Sequence, residues 1–206
     1  MDEIPESEVD IFHTCARILI AGFSGSGKSY FASKLIRKYK HKFDQIILIG
    51  GNLEGVEDLG VVRRDDFNIE LDANGIDNIL LCFDDILYDS KLMKVAANLY
   101  TRGRHKKNSC LMLSQNIFHP SSDFRCISLN STHIVLMRMR DNRQITHFSS
   151  SFLTQEKREA FVKLYKLIVL KEKYRYLLVD FTKNPCSKLM IRTNLFNESL
   201  ETCLQI

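Results

Sequence analysis

Proline and glycine are scarce in this chain, 3 and 9 of 206 residues, which excludes collagen-like and low-complexity architectures. There is no repeat and no linker-like stretch, so a single domain is expected. No apolar run approaches the roughly 18–20 residues that cross a bilayer, so stable membrane insertion is not expected. The acidic start MDEIPESEVD does not resemble a secretion signal, which points to an intracellular setting. The six cysteines (Cys15, Cys82, Cys110, Cys126, Cys186, Cys203) form no C-x-x-C pair. Cys82 and Cys110 sit inside apolar runs, as reduced core thiols do, rather than in a zinc or disulfide framework. His41, His119, His133 and His147 have no metal-ligand spacing. Neither sign of charge dominates: 29 basic against 25 acidic side chains leave +4, slight ground for a nucleic-acid partner.

What is present is a soluble-domain composition, 45% hydrophobic and 26% charged. A short tail over 1–14 precedes one expected domain over 15–206. Apolar runs alternate with helical stretches, the mark of parallel strands joined by crossover helices. Strands are expected at about Arg17–Ala21, Gln45–Ile49, Asn78–Phe83, Ser109–Ser114 and His133–Met137. Helices are expected at Lys28–Tyr39, Ser90–Thr101 and Thr154–Leu170, the last with Phe161, Leu164, Tyr165 and Ile168 on one face and Thr154 as its cap. Asp58–Asn74 reads as a connecting excursion with short β-like pieces, and Tyr174–Phe181 and Lys188–Arg192 as late strands. Phe118, Phe124, Phe148 and Phe152 are expected in the core.

The chemistry begins at Ile18–Ser29, ILIAGFSGSGKS. An apolar strand feeds into Gly22-Phe23-Ser24-Gly25-Ser26-Gly27-Lys28-Ser29, which matches G-x-x-x-x-G-K-[ST] at every defined position. Glycines let successive backbone N–H groups turn inward onto phosphate oxygens, and the helix that follows presents its positive end. Lys28 is placed to bridge the β and γ phosphates of a nucleoside triphosphate, and the Ser29 hydroxyl to ligate Mg²⁺.

A second apolar strand ends in Asp84-Asp85, where parallel sheets place their ligands. Asp84 suits a metal acid and Asp85 a general base that activates water. A strand falls between the phosphate loop and this acid pair in the chain, the order of P-loop ATPases with an added central strand. The D-x-x-G and [NT]-K-x-D elements of small GTPases are absent; Thr182-Lys183-Asn184-Pro185 lacks the acid. Gln115 leaves the strand SCLMLS either as a plain polar exit or as an amide beside the γ-phosphate. The basic stretch Tyr100–Lys107 leaves three options open: a solvated loop, an arginine supplied to a neighbouring subunit, or contact with nucleic-acid phosphates through Lys106 and Lys107. Arg138, Arg140 and Arg143 form a second basic cluster with the same options.

Over about residues 16–150, the segments GFSGSGKS, LLCFDD, GRHKKNSCLMLSQN and HIVLM resemble the FtsK/HerA-type DNA-pumping ATPases, specifically the genome-packaging ATPases of poxviruses, Polinton-like elements and related double-stranded DNA viruses. The resemblance implies a three-layer α/β sandwich of the additional-strand P-loop NTPase (RecA-like) type, mainly parallel, with late antiparallel strands. It implies ATP and Mg²⁺ bound by Gly22 to Tyr30, with the metal on Ser29 and Asp84. Asp85 stands where a glutamate is common and has a shorter reach; Gln115 is the sensor. Arg104, eleven residues before Gln115, matches the trans-acting arginine finger, with Arg102 close by. Double-stranded DNA, a homo-oligomeric ring (usually a hexamer) and viral capsid or portal-vertex proteins are the implied partners, in a virus-infected cell. A nucleoside or nucleotide kinase and an ATP-binding assembly switch are the alternatives.

Overall fold

Arg17–Ala21 forms β1, every residue of it buried. A strand in which side chains on both faces are apolar needs cover on both sides, and it has that cover. The computed structural model describes residues 10–12, 15–51, 53–65, 78–102, 107–182, 190–193, 195–196 and, as a strand, 202–205. The strands that follow are β2 (Gln45–Gly50), β3 (Val62–Arg64), β4 (Ile79–Asp84), β5 (Ser109–Ser114), β6 (His133–Leu136), β7 (Leu177–Asp180), β8 (Met190–Thr193) and β9 (Thr202–Gln205). The helices are α1 (Lys28–Tyr39), α2 (Ser90–Arg102), α3 (Ser122–Asn130), α4 (Arg143–Phe152) and α5 (Gln155–Ile168).

The nine described strands lie in one sheet ordered β3-β2-β4-β5-β1-β6-β7-β8-β9. From β3 to β6 every pair is parallel, and β7, β8 and β9 add antiparallel. The additional-strand α/β class expected from the sequence is therefore observed. In the chain β2 and β3 fall between β1 and β4, but in the sheet both lie on the far side of β4, and β5 separates β1 from β4. Chain order does not set sheet order when crossovers skip positions.

Period-two alternation divides the core between the two faces. Ile18 and Ile20 of β1, with Leu48, Cys82 and Leu111, pack toward Phe31, Leu35 and Ile36 of α1. Leu19 and Ala21, with Ile47, Leu81 and Met112, pack toward α2, α3, α4 and α5 through Tyr100, Phe124, Phe148 and Phe161. Phe124 and Phe148 are thus core, and Phe118 and Phe152 pack partly buried against it.

Boundaries shift by a residue or so where turn chemistry intervenes. Asn78 takes a left-handed φ of 53° and precedes β4 rather than joining it. Thr154 precedes α5 in extended conformation, but its side chain makes no capping hydrogen bond. The expected strand from Tyr174 begins only at Leu177. The helices α3 and α4 and the strand β9 were not anticipated; α3 is started by Ser121, whose hydroxyl accepts from the Asp123 and Phe124 N–H groups. Within the expected excursion over 58–74, β3 is a strand and the FNIEL piece lies outside the described residues.

One contact holds each end of the sheet, the first at the carboxyl edge of β6 and the second at its amino edge. The Tyr165 hydroxyl of α5 donates to the Met137 carbonyl at 2.9 Å and accepts from the Met139 N–H at 2.9 Å. Burial pushes this phenol up to about 12, so it stays protonated as donor. On the antiparallel side, buried Asp180 accepts from Thr182 and lies 3.5 Å from His133 and 3.6 Å from Arg192. Tyr165→Phe leaves the buried Met139 N–H without its acceptor, and the expected cost is about 1–3 kcal/mol. It is read as a lower urea midpoint at unchanged m-value.

Candidate active site

The carboxyl edges of β1, β4 and β5 open on one cleft of about 400 Å³. Lys28, Ser29, Asp84, Asp85 and Gln115 all line it, together with Ser24, Gly25, Gly27 and Tyr30. Five side chains from three separate stretches of sequence thus meet at one place.

The loop after β1 is anchored to its neighbours. The Gly22 N–H donates to the Ser114 carbonyl at the end of β5, and the Phe23 N–H to the Arg138 carbonyl beyond β6, at 3.1 and 3.0 Å. The turn closes through the Ser26 N–H on the Phe23 carbonyl. Gly27 caps α1 with φ 97° and offers no side chain to the first helical N–H groups. Those groups and the helix dipole therefore face the cleft, an arrangement that receives anions. Phe23 and Ser26 turn away into a separate recess of about 240 Å³ with Arg138 and Tyr174.

Lys28 is half-buried, and its ammonium donates to the Gly22 and Phe23 carbonyls at 2.8 and 3.1 Å. Burial holds its pKa below the ordinary lysine value, while Asp84 and Asp85 pull it the other way. Asp84 shows the mirror case. Burial, then the charge of Asp85, raises its carboxyl above the usual aspartate range, against the pull of Lys28. A pocket that holds charged groups at a desolvation cost is a common sign of a functional site.

Successive strand residues normally face opposite sides. Asp85 escapes that rule by taking a left-handed φ of 54°, a conformation that is strained for a non-glycine residue and concentrates at functional sites. Both carboxylates consequently line the cleft. Beneath them Gly50, at φ 82°, lies so close that a Cβ there would meet the Asp84 carbonyl at 2.4 Å. Only glycine allows β2 to end against Asp84.

Gln115 follows β5 and is exposed at the cleft. Its neighbour Asn116 is engaged instead with Gln144, whose side-chain amide donates to it at 3.1 Å. Among the described residues no group of three or more His, Cys, Asp or Glu side chains is placed to hold a metal. The oxygen donors Ser29 and Asp84 on one cleft suit Mg²⁺, which takes few protein ligands and completes its shell with phosphate oxygens and water.

Arg102 is elsewhere. It ends α2, which runs from Ser90 after the acid pair back toward the other edge of the sheet. The Tyr100 carbonyl there accepts from Arg17, the first residue of β1, whereas the phosphate loop follows the last. Arg102 is thus not brought to Lys28, Asp85 and Gln115 of its own chain, and Arg104 lies outside the described residues. Leu87 and Tyr174 line the cleft without belonging to any motif read in the sequence. Tyr174 lies 147 residues from Gly27, in a turn with no motif, and only the fold sets its ring against the loop.

No family model matches this sequence, and no curated protein matches it. Solved structures do match the fold. The DNA-packaging ATPase B204 from Sulfolobus Turreted Icosahedral Virus has a TM-score of 0.62 at 17% identity, over 86% of this chain and 97% of that one. The genome packaging NTPase B204 from Sulfolobus turreted icosahedral virus 2, in complex with ATP-gammaS, has a TM-score of 0.57 at 17% identity, covering 85% and 94%. The pCW3 conjugation coupling protein TcpA, in its monomer form with ATPgS, has a TM-score of 0.51 at 14% identity, covering 82% of this chain and 58% of that one. The chain has the fold of the P-loop NTPases. Within that class it shares its architecture with a viral genome-packaging NTPase.

The raised Asp84 pKa has a consequence for stability. A carboxyl whose folded value exceeds its unfolded value costs no stability below the unfolded value, and its penalty builds up as pH rises through the folded one. Asp84→Asn is therefore expected to melt higher than wild type at neutral pH without ligand, the gain fading as pH falls to about 4. Thermal melts across that range check this; a gain that persists at the acid end contradicts the assignment.

Proposed function

We propose that this protein is an ATP-hydrolysing motor that moves double-stranded DNA, of the poxvirus- and Polinton-like genome-packaging type. The observation that carries this is the convergence of Lys28, Ser29, Asp84, Asp85 and Gln115 on one cleft. Against the kinase alternative, the sequence carries no clear Arg-rich lid, and the acid pair followed by the amide suits activation of water better than that of an acceptor hydroxyl. The fold shared with B204, which is a DNA-packaging ATPase, supports the motor assignment.

The triphosphate lies along the loop, with the β and γ phosphates on the N–H groups of Gly25 to Ser29. Lys28 leaves the Gly22 and Phe23 carbonyls and binds the β and γ oxygens. Ser29 and Asp84 would hold Mg²⁺, which would supply positive charge against the phosphoryl oxygens. Asp85 accepts a proton from water as its oxygen bonds to the γ-phosphorus, and the bond from that phosphorus to the β–γ bridging oxygen breaks, releasing ADP and phosphate. Gln115 orients the water and senses the γ-phosphate. Arg102, remote from its own cleft, and Arg104 serve the neighbouring subunit's site, so turnover requires a homo-oligomeric ring, a hexamer. The ring threads DNA and docks on a capsid or portal vertex in the infected cell. No described helix is long and apolar enough to cross a membrane.

Duplex-stimulated ATP turnover tests this. Lys28→Ala is expected to lose it by about 10²–10³-fold. Asp85→Asn is expected to bind ATP normally and lose turnover by about 10²–10⁴-fold. Arg102→Ala/Arg104→Ala protein, inactive alone, is expected to regain activity when mixed with Lys28→Ala protein, because each supplies the half that the other lacks. DNA-independent turnover by a monomer, unchanged by the arginine substitutions, overturns the ring mechanism.

A further inference from the structure

We infer that Gln144, in the first turn of α4, is a positioning residue for Gln115, holding the turn that presents its amide to the cleft; this rests on the reading of Gln115 as the amide that orients water. Gln144 lines the groove between α3 and α4 rather than the cleft, so it acts on the site through another residue. Both ends of its side-chain amide are engaged. The Oε1 oxygen accepts from the Ile117 N–H at 3.1 Å, and the Nε2 group donates to the Asn116 Oδ1 at 3.1 Å. Ile117 is fully buried, so an acceptor for its N–H must come from the protein.

The same turn is closed from its other side. The Ser114 hydroxyl donates to the Asn116 carbonyl at 2.6 Å and accepts from the Asn116 N–H at 3.2 Å. Gln115 is therefore an exposed residue between two fixed points, buried Ser114 before it and buried Ile117 after it. The first point is tied to the phosphate loop directly, because the Ser114 carbonyl accepts from the Gly22 N–H. Gln144 ties the second point to that loop by another route. It lies six residues after Arg138, whose carbonyl accepts from the Phe23 N–H at 3.0 Å. Its own N–H donates to the Asp141 carbonyl, and Ile145 and Phe148 seat α4 in the core. Both ends of the turn are thus referenced to the phosphate loop. An amide that must hold a water to within about 0.5 Å of its productive place needs that support.

The test is steady-state ATP turnover with duplex DNA on the full chain, beside MgATP affinity by calorimetry. Gln144→Met keeps the length of the side chain and loses both amide bonds. It is expected to lower kcat about tenfold or more, while KM and MgATP affinity change less than about twofold. Gln115→Ala is expected to lower kcat at least as far, and the double variant no further than Gln115→Ala alone, because the two residues act as a unit. Gln144→Glu still accepts from Ile117 and, with the Asn116 amide turned over, accepts from Asn116 as well; it is expected to recover most of the loss. Should Gln144→Met not fold, Asn116→Ala, at an exposed position, removes one of the two bonds and is expected to show a smaller kcat loss of the same kind. Gln144→Met, or Asn116→Ala in its place, at wild-type kcat beside a slow Gln115→Ala overturns the positioning role alone. So does a loss carried by MgATP affinity, a double variant in which the two losses multiply, or a Gln144→Glu protein as slow as Gln144→Met. Gln115→Ala at wild-type kcat overturns the reading of Gln115 together with this one.

Discussion

Everything at the cleft depends on β5 lying between β1 and β4. Parallel strands end on one edge, so their loops form one ligand-binding face. With β5 inserted, the loop after β1 and the acids after β4 stand two strand spacings apart, about 10 Å, with Gln115 on the strand between them. That gap is of the size that a phosphoryl group and an attacking water require. If β4 paired directly with β1, Gln115 would have no strand between the loop and the acids on which to stand. The hydrogen bond from Gly22 to Ser114 shows the same dependence, since the inserted strand also anchors the loop.

The charges in the cleft are balanced around something the protein does not supply itself. Burial opposes the ammonium of Lys28 and the carboxylate of Asp84 alike, and Asp85 adds repulsion on the acidic side. Without a ligand Lys28 is satisfied by two loop carbonyls. A triphosphate with its cation offers Lys28 a stronger, charged acceptor and offers Asp84 a positive partner. The left-handed backbone at Asp85 and the glycine contact beneath Asp84 hold the acids in place meanwhile, as strain held by the surrounding fold. The unliganded site is thus preorganised for charge that arrives from outside.

Much of the fold was legible because its signals are local. The strands β1, β2, β4, β5 and β6 are continuous apolar runs, which is what burial on both faces demands, and α1, α2 and α5 carry one apolar stripe each. The helix α3 is not legible because SDFRCISLN is short and mixes polar residues into its turns; α4 does carry Ile145, Phe148 and Phe152 at i, i+3 and i+7, but within a short segment otherwise made of Ser, Thr, Gln and His. The Tyr174 turn was read as strand because aromatic and β-branched neighbours imitate one.

By itself the sequence determined the phosphate loop, the acid pair at a strand end and the class of sheet, because each depends on residues adjacent in the chain, where backbone geometry follows from residue type. It also placed Gln115 at the exit of a strand. Only the tertiary structure decided that β5 rather than β2 separates loop from acids, that Arg102 faces away from its own cleft, and that Tyr174 lies on Gly27. Those are relations between segments far apart in the chain, set by the packing of crossovers on both faces of one sheet, and no local pattern encodes them.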